Sequence, residues 1–105
     1  MVAIVYTTID DISDARRIAH TLVEEQIVAC VNIIPEIESY YKWKGKTEND
    51  KEIVLICKTV DNNVKKAIQR IKELHKYDLP AIVVIPIIGG LKDYLNYIEN
   101  ETSWK

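Results

Sequence analysis

Apolar positions along this chain switch between a period of two and a period near 3.6, and the switches mark out its elements. Val2 to Thr8 reads Val-Ala-Ile-Val-Tyr-Thr-Thr, an opening strand too short and too β-branched for a helix. Asp10, Asp11 and Ser13 then offer N-caps, with Asp14 acidic in the first turn, ahead of Ala15, Ile18, Ala19, Leu22 and Val23 at helical spacing. From Val28 to Lys46 the chain reads as one very long strand. Its first half is almost continuously apolar, which predicts a central strand covered on both faces. Beyond Pro35 the residues alternate, with Ile37, Ser39, Tyr41 and Trp43 facing one way and Glu36, Glu38, Tyr40, Lys42 and Lys44 the other. Pro35 has no N–H for a ladder and predicts a bulge or an edge at the join. Gly45 and the polar run Lys46 to Lys51 predict the turn, and Glu52 to Thr59 the returning strand. A second helix follows a cap near Asp61, with Val64, Ala67, Ile68, Ile71 and Leu74 as its buried stripe. Ala81 to Ile87 predicts a fourth strand and Gly89-Gly90 a break. Lys92 to Asn100 predicts a short closing helix with Leu91, Tyr94, Leu95 and Ile98 inward.

The order β, α, β, β, α, β plus a terminal helix predicts an α+β fold, the ferredoxin-like sandwich, carrying a long β-hairpin. Such a sheet is antiparallel with both long helices on one face. Apolar residues on both sides of the strands then require a cover for the other face, and a second copy of the chain is the simplest one. The hairpin sharpens the point, because a two-stranded arm without a packing surface is marginal in water. Tyr41 and Trp43 together would bury roughly 300–500 Å², against either a helix of the same chain or a neighbouring subunit.

Composition narrows the class. A chain of 105 residues, 48% hydrophobic and 29% charged, is expected to be a single soluble globular domain over 1–105. A net charge of −2 lacks the basic excess of a nucleic-acid binder, so no nucleic-acid partner is expected. No apolar run reaches membrane-spanning length, and neither signal peptide nor anchor is apparent, so no membrane partner is expected. Cys30 and Cys57 both lie in apolar strands, which suits buried thiols in the cytoplasm better than a disulfide scaffold.

The candidate chemistry is sparse. Cys30 is either a soft-metal ligand or a small buried hydrophobe, and Cys57 has the same two readings with less to favour a ligand. His75 follows Ile71 by four and Ile68 by seven, which places it at the end of the buried stripe, either as a ligand at a cleft or as a helix-terminal imidazole favoured by the carbonyl end. His20 falls off its helix's stripe and is expected in solvent. Lys58 either reaches into a cleft to hold an anion or carries its ammonium to water on an apolar stem. With Lys58 and His75, the connection Tyr77, Asp78 and Pro80 would make a polar cleft on an apolar wall. Asn32 either lines that cleft or satisfies a neighbouring backbone group. Tyr6-Thr7-Thr8-Ile9-Asp10 has no glycines for an anion loop, and no nucleophile pairs with a base, so no enzyme is expected.

Ala29-Cys30-Val31-Asn32, Pro35, Ser39, Tyr41, Trp43-Lys44-Gly45-Lys46, Lys58-Thr59, His75-Lys76-Tyr77-Asp78-Leu79-Pro80-Ala81-Ile82 and Asp93-Tyr94-Leu95 resemble, in order and over nearly the whole chain, the CutA family of divalent-cation tolerance proteins. The resemblance implies a tight PII-like homotrimer whose hairpins pack on their neighbours, with Tyr40, Tyr41 and Trp43 at the trimer interface. It also implies a non-catalytic role in tolerance of copper and other heavy-metal ions. No cofactor is required, and His75 and Cys30 are the candidate metal ligands. The alternative it suggests is a PII-like regulatory module that binds a small anion or a partner's loop between subunits, at a cleft formed by Lys58, His75 and Tyr77. Relatives linked to copper carry a Cys where this chain has Tyr6 and a His pair where it has Leu74-His75.

Overall fold

β1 (Val2–Ile9) lies inside a four-stranded antiparallel sheet, flanked by β3 (Lys46–Val60) and β4 (Ile82–Pro86), with β2 (Cys30–Trp43) beyond β3. α1 (Ile12–Glu24) and α2 (Val64–Leu74) connect the strands, and α3 (Lys92–Glu101) follows β4. This is the expected ferredoxin-like order with a terminal helix. The computed structural model describes residues 1–102; residues 103–105 of the expected domain lie outside the described residues.

α1 starts where the sequence places a cap: the Asp11 carboxylate accepts from the backbone N–H groups of Ser13 and Asp14 at 2.8 and 3.0 Å. Ala15, Ile18 and Leu22 are buried, whereas Val23 flanks the stripe and is exposed. α2 begins one 3-10 turn later than expected, after Asp61–Asn63. Asn63 makes no side-chain cap, and its buried amide nitrogen donates to the carbonyls of Ile27 and Thr102 at 3.1 and 3.4 Å. Val5, Ile9, Leu55 and Cys57 of the sheet meet Ile18, Leu22 and Ile71 of the two helices in the main core. On the opposite face α3 covers one end only, where Ile98 and Leu95 pack on Val2, Ala29, Val60 and Ile87. Leu91 and Tyr94, expected inward, therefore stay exposed.

The hairpin differs from expectation in three places. Its turn is two residues, Lys44 and Gly45, with φ of +50° and +81°. Two consecutive positive φ values give the mirror-image turn that matches strand twist. β3 thus begins at Lys46, and Lys46 to Lys51, expected as turn, pairs with Trp43 to Glu38. Polar residues on both sides are tolerated there because all of them face solvent. β2 begins at Cys30, while Val28 and Ala29 are buried in the connection before it. Within the single chain β2 is also an edge strand, not a central one. Val31 and Ile33 pack toward the helices, but Ile34 on the other face is uncovered. Pro35 behaves as expected, since the register slips between Ile34 and Ile37. A 14-residue strand at about 3.3 Å per residue is as long as the molecule's 46 Å extent.

Candidate functional site

The register decides which side chains meet on the face away from α1 and α2. Tyr6 and Thr8 of β1 stand opposite Ile56 and Val54 of β3. Beyond the bulge the same face continues as Ile37, Ser39 and Tyr41 opposite Glu52, Asp50 and Glu48. The connection from α2 to β4 closes over this region, and together they enclose a groove of about 670 Å³. Tyr41, Trp43, Tyr6 and Tyr77 supply aromatic walls, and Asp10, Asp50, Glu52 and Asp78 supply carboxyl groups against the one ammonium of Lys42 among the lining residues.

Both phenols act as donors to these carboxylates. Tyr41 donates to Asp50, and Tyr77 donates to Glu52 at 3.3 Å. The Asp50 hydrogen bond, helped by desolvation and by nearby acidic charges, pushes the Tyr41 hydroxyl up to about 12. Burial, with the charges of Asp10 and Glu52, raises the Tyr77 hydroxyl further. Neither is a tyrosinate at neutral pH. Lys76, not itself a lining residue, pairs with the groove's Asp10 at 2.6 Å and with Asp14 at 3.6 Å, and the Asp10 bond holds its ammonium above the ordinary lysine value.

His75 is buried at the end of α2, 8% exposed. Its Nε2 lies 2.7 Å from the Thr8 carbonyl oxygen, and its Nδ1 accepts the Tyr77 backbone N–H at 3.1 Å. His20 is exposed, as expected.

The remaining candidates fall elsewhere. Cys30 is half-buried and pairs with Lys58 on β3, whereas His75 bonds to Thr8, whose β3 partner is Val54. Four strand positions, about 13 Å, separate those levels of the sheet. Cys57 pairs with Val31 and so projects to the helix face, opposite to Cys30. Burial, then Cys30, pushes its thiol up to about 12, which keeps it protonated. Lys58 donates to the Tyr94 hydroxyl at 3.2 Å and lies 5.3 Å from that ring's centre, at the end covered by α3. Asn32 stands exposed opposite Ile56. Of the expected cleft, then, Tyr77 and Asp78 line one groove, while Lys58, Asn32 and Pro80 are not among its lining residues. Asp10, Asp50, Glu52, Tyr6, Thr8 and Ser39 line it and were not singled out from sequence as site residues. Asp50 and Glu52 carried a readable signal: once the turn is placed at Lys44-Gly45, they fall opposite Ser39 and Ile37. Tyr40, Tyr41 and Trp43 are 70%, 41% and 49% exposed, so among the described residues no helix covers the hairpin tip.

A family profile described as CutA1 divalent ion tolerance protein matches residues 3–101. The chain belongs to the CutA1 family. Its CutA1 relatives include a divalent-cation tolerance protein from Thermus thermophilus, 40% identical over 103 residues that make up 98% of this chain and 100% of the relative. A solved structure of a Thermus thermophilus divalent cation tolerance protein, 40% identical, covers 98% of this chain and 100% of its own, with a TM-score of 0.95. The CutA of Archaeoglobus fulgidus, named periplasmic, superposes with a TM-score of 0.94 at 36% identity, covering 98% of this chain and 100% of its own. The chloroplastic CutA of Arabidopsis thaliana is 37% identical over 94% of this chain, which spans only 54% of that relative.

The name of the CutA1 family implies a divalent cation, and the donors of one chain do not fit a chelate for it. Both His75 nitrogens have partners, Cys30 and Cys57 face opposite sides, and among the described residues no group of three or more His, Cys, Asp or Glu is placed to hold a metal ion.

Proposed function

We propose that this chain is a non-catalytic divalent-cation tolerance protein that works as a homotrimer and takes up copper or other heavy-metal ions at sites assembled between chains. The observation that carries this reading is the sheet face left bare by α3. Val83, Ile85 and Ile34 on that face are 52%, 45% and 41% exposed, and the aromatic hairpin tip continues it. Exposed apolar side chains on an uncovered sheet face favour a protein contact there. The name of the CutA1 family supplies the cation, and the choice of three subunits rests on the resemblance set out under the sequence analysis.

Donors that do not converge within one chain can converge between chains. Cys30, half-buried at the start of β2, offers a soft donor for Cu(I), and the carboxylates of the groove offer hard donors to other divalent ions. A non-catalytic role is supported by an imidazole with both nitrogens committed and a Cys57 thiol held protonated. The free cysteines suit the cytoplasm.

Light scattering after size exclusion, run with calorimetric titration of Cu²⁺ and Cu⁺, tests the proposal. A trimer that takes up metal ions with measurable heat is expected. A monodisperse single chain at micromolar concentration overturns the assembly, and heats equal to buffer overturn the metal role.

A further inference from the structure

We infer that His75 is a positioning residue that fixes one wall of the acidic groove, and that its imidazole is not a metal ligand in this protein. The partners on its two nitrogens determine the tautomer. A carbonyl oxygen only accepts, so Nε2, 2.7 Å from the Thr8 oxygen, carries the hydrogen. A backbone N–H only donates, so Nδ1, 3.1 Å from the Tyr77 nitrogen, presents its lone pair there. A neutral imidazole has one lone pair for a metal, and here Tyr77 has taken it. Binding through Nδ1 would open the turn at Tyr77. Binding through Nε2 would strip the Thr8 carbonyl of this donor at a residue only 8% exposed.

The same two bonds have a positive role. The His75 backbone N–H closes the end of α2 on the Ile71 carbonyl at 2.8 Å. Its side chain then closes a tight turn onto Tyr77 and ties that turn to the end of β1. Within this bracket Lys76 pairs with Asp10 and Asp14, while Tyr77 joins the lining of the groove. The Tyr77 ring sits 4.6 Å from the imidazole, and its hydroxyl reaches Glu52. Thr8, Glu52 and Tyr77 all line the groove, so the imidazole sets its width from behind without entering the lining. This assignment is independent of whether the chain forms a trimer or takes up cations.

The test is nitrogen-15 NMR of the full-length chain at neutral pH, followed by titration with Zn²⁺, which is diamagnetic and favours imidazole. The expected result is a His75 protonated on Nε2 and bare on Nδ1, with neither resonance moved by zinc. Two variants read the positioning role. His75→Asn keeps an acceptor near the place of Nδ1 and should preserve the slow exchange of the Tyr77 amide, with zinc stoichiometry unchanged. His75→Ala removes the acceptor and should speed that exchange by about tenfold, the size of one net hydrogen bond. A zinc-induced shift of either His75 nitrogen, or loss of zinc uptake in His75→Asn with the Tyr77 amide still protected, overturns the inference. An unchanged Tyr77 amide in His75→Ala also overturns it. If His75→Ala does not fold, the wild-type tautomer and zinc titration still decide. The trimer is read separately by light scattering, so failure of one proposal is distinguishable from failure of the other.

Discussion

The Tyr41 hydroxyl donates to Asp50, which is not the residue directly across the hairpin; that place belongs to Glu48, and Asp50 is its diagonal neighbour on the same face. Three acidic side chains, Glu48, Asp50 and Glu52, thus line one side of the arm near the Tyr41 phenol. The arrangement keeps the phenol protonated and turns it into an anchor between β2 and β3.

Ultraviolet titration of the six tyrosines checks this. Tyr41 should ionise late, at about 12, and Asp50→Asn should return it toward about 10. The folded value lies above the unfolded one, so the stabilisation is fully present below about pH 10 and fades as pH climbs through about 12. A titration curve unchanged by Asp50→Asn would show that the pair does not form in solution.

The hairpin turn has its own signature. Gly45 has φ +81° and open space around the position of a Cβ, so Gly45→Ala meets no clash and isolates the backbone effect. A loss of about 1–2 kcal/mol is expected, from the left-handed conformation alone. Lys44 has φ +50°, and Lys44→Asn should shift stability the other way by a few tenths of a kcal/mol, on the order of an Asn preference for that region. Amide exchange along Tyr41 to Glu48 is the readout, and equal rates in Gly45→Ala and wild type would contradict the turn.

Cys30 and Cys57 should never be recovered as an intrachain disulfide, because they project from opposite faces of neighbouring strands. Cys57 is fully buried with its thiol held protonated, so maleimide should leave it unlabelled until the chain unfolds. Peptide mapping after native oxidation and native labelling checks both. A linked Cys30–Cys57 peptide, or rapid labelling at Cys57, would refute the register.

Leu55 sits fully buried at the middle of β3, facing the two helices. Leu55→Ala should lower stability by about 2–5 kcal/mol, since the lost contacts leave a cavity that a packed core fills only in part. Guanidinium unfolding measures it, with chain concentration held constant because assembly would otherwise shift the midpoint.

The features legible in the sequence are those whose causes act over a few residues. The Asp11 cap, the stripe of Ala15, Ile18 and Leu22 and the bulge at Pro35 depend on neighbours within a few residues, and they were legible. The turn at Lys44-Gly45 was displaced because the arm beyond it has no buried face, so hydrophobic alternation carries no information there. Helical spacing alone predicts Leu91 and Tyr94 inward. Their exposure follows from how far α3 reaches over the sheet, which spacing does not encode.

The candidate site was legible only in its parts. Tyr77 and Asp78 were named, but the cation Lys58 assigned to their cleft pairs with Tyr94 at the far end of the sheet. What remains around Tyr77 is acidic, which inverts the charge expected of an anion site.

From the sequence alone came the order of strands and helices, the α+β class and a hairpin too long for its own domain to cover, because periodicity, caps and turn residues act locally. Only the tertiary structure decided which strand is an edge, which carboxylates share a groove and which backbone groups the His75 ring meets. Those outcomes rest on contacts between distant residues, such as His75 with Thr8 across 67 positions and Tyr77 with Glu52 across 25, and no local pattern specifies such partners.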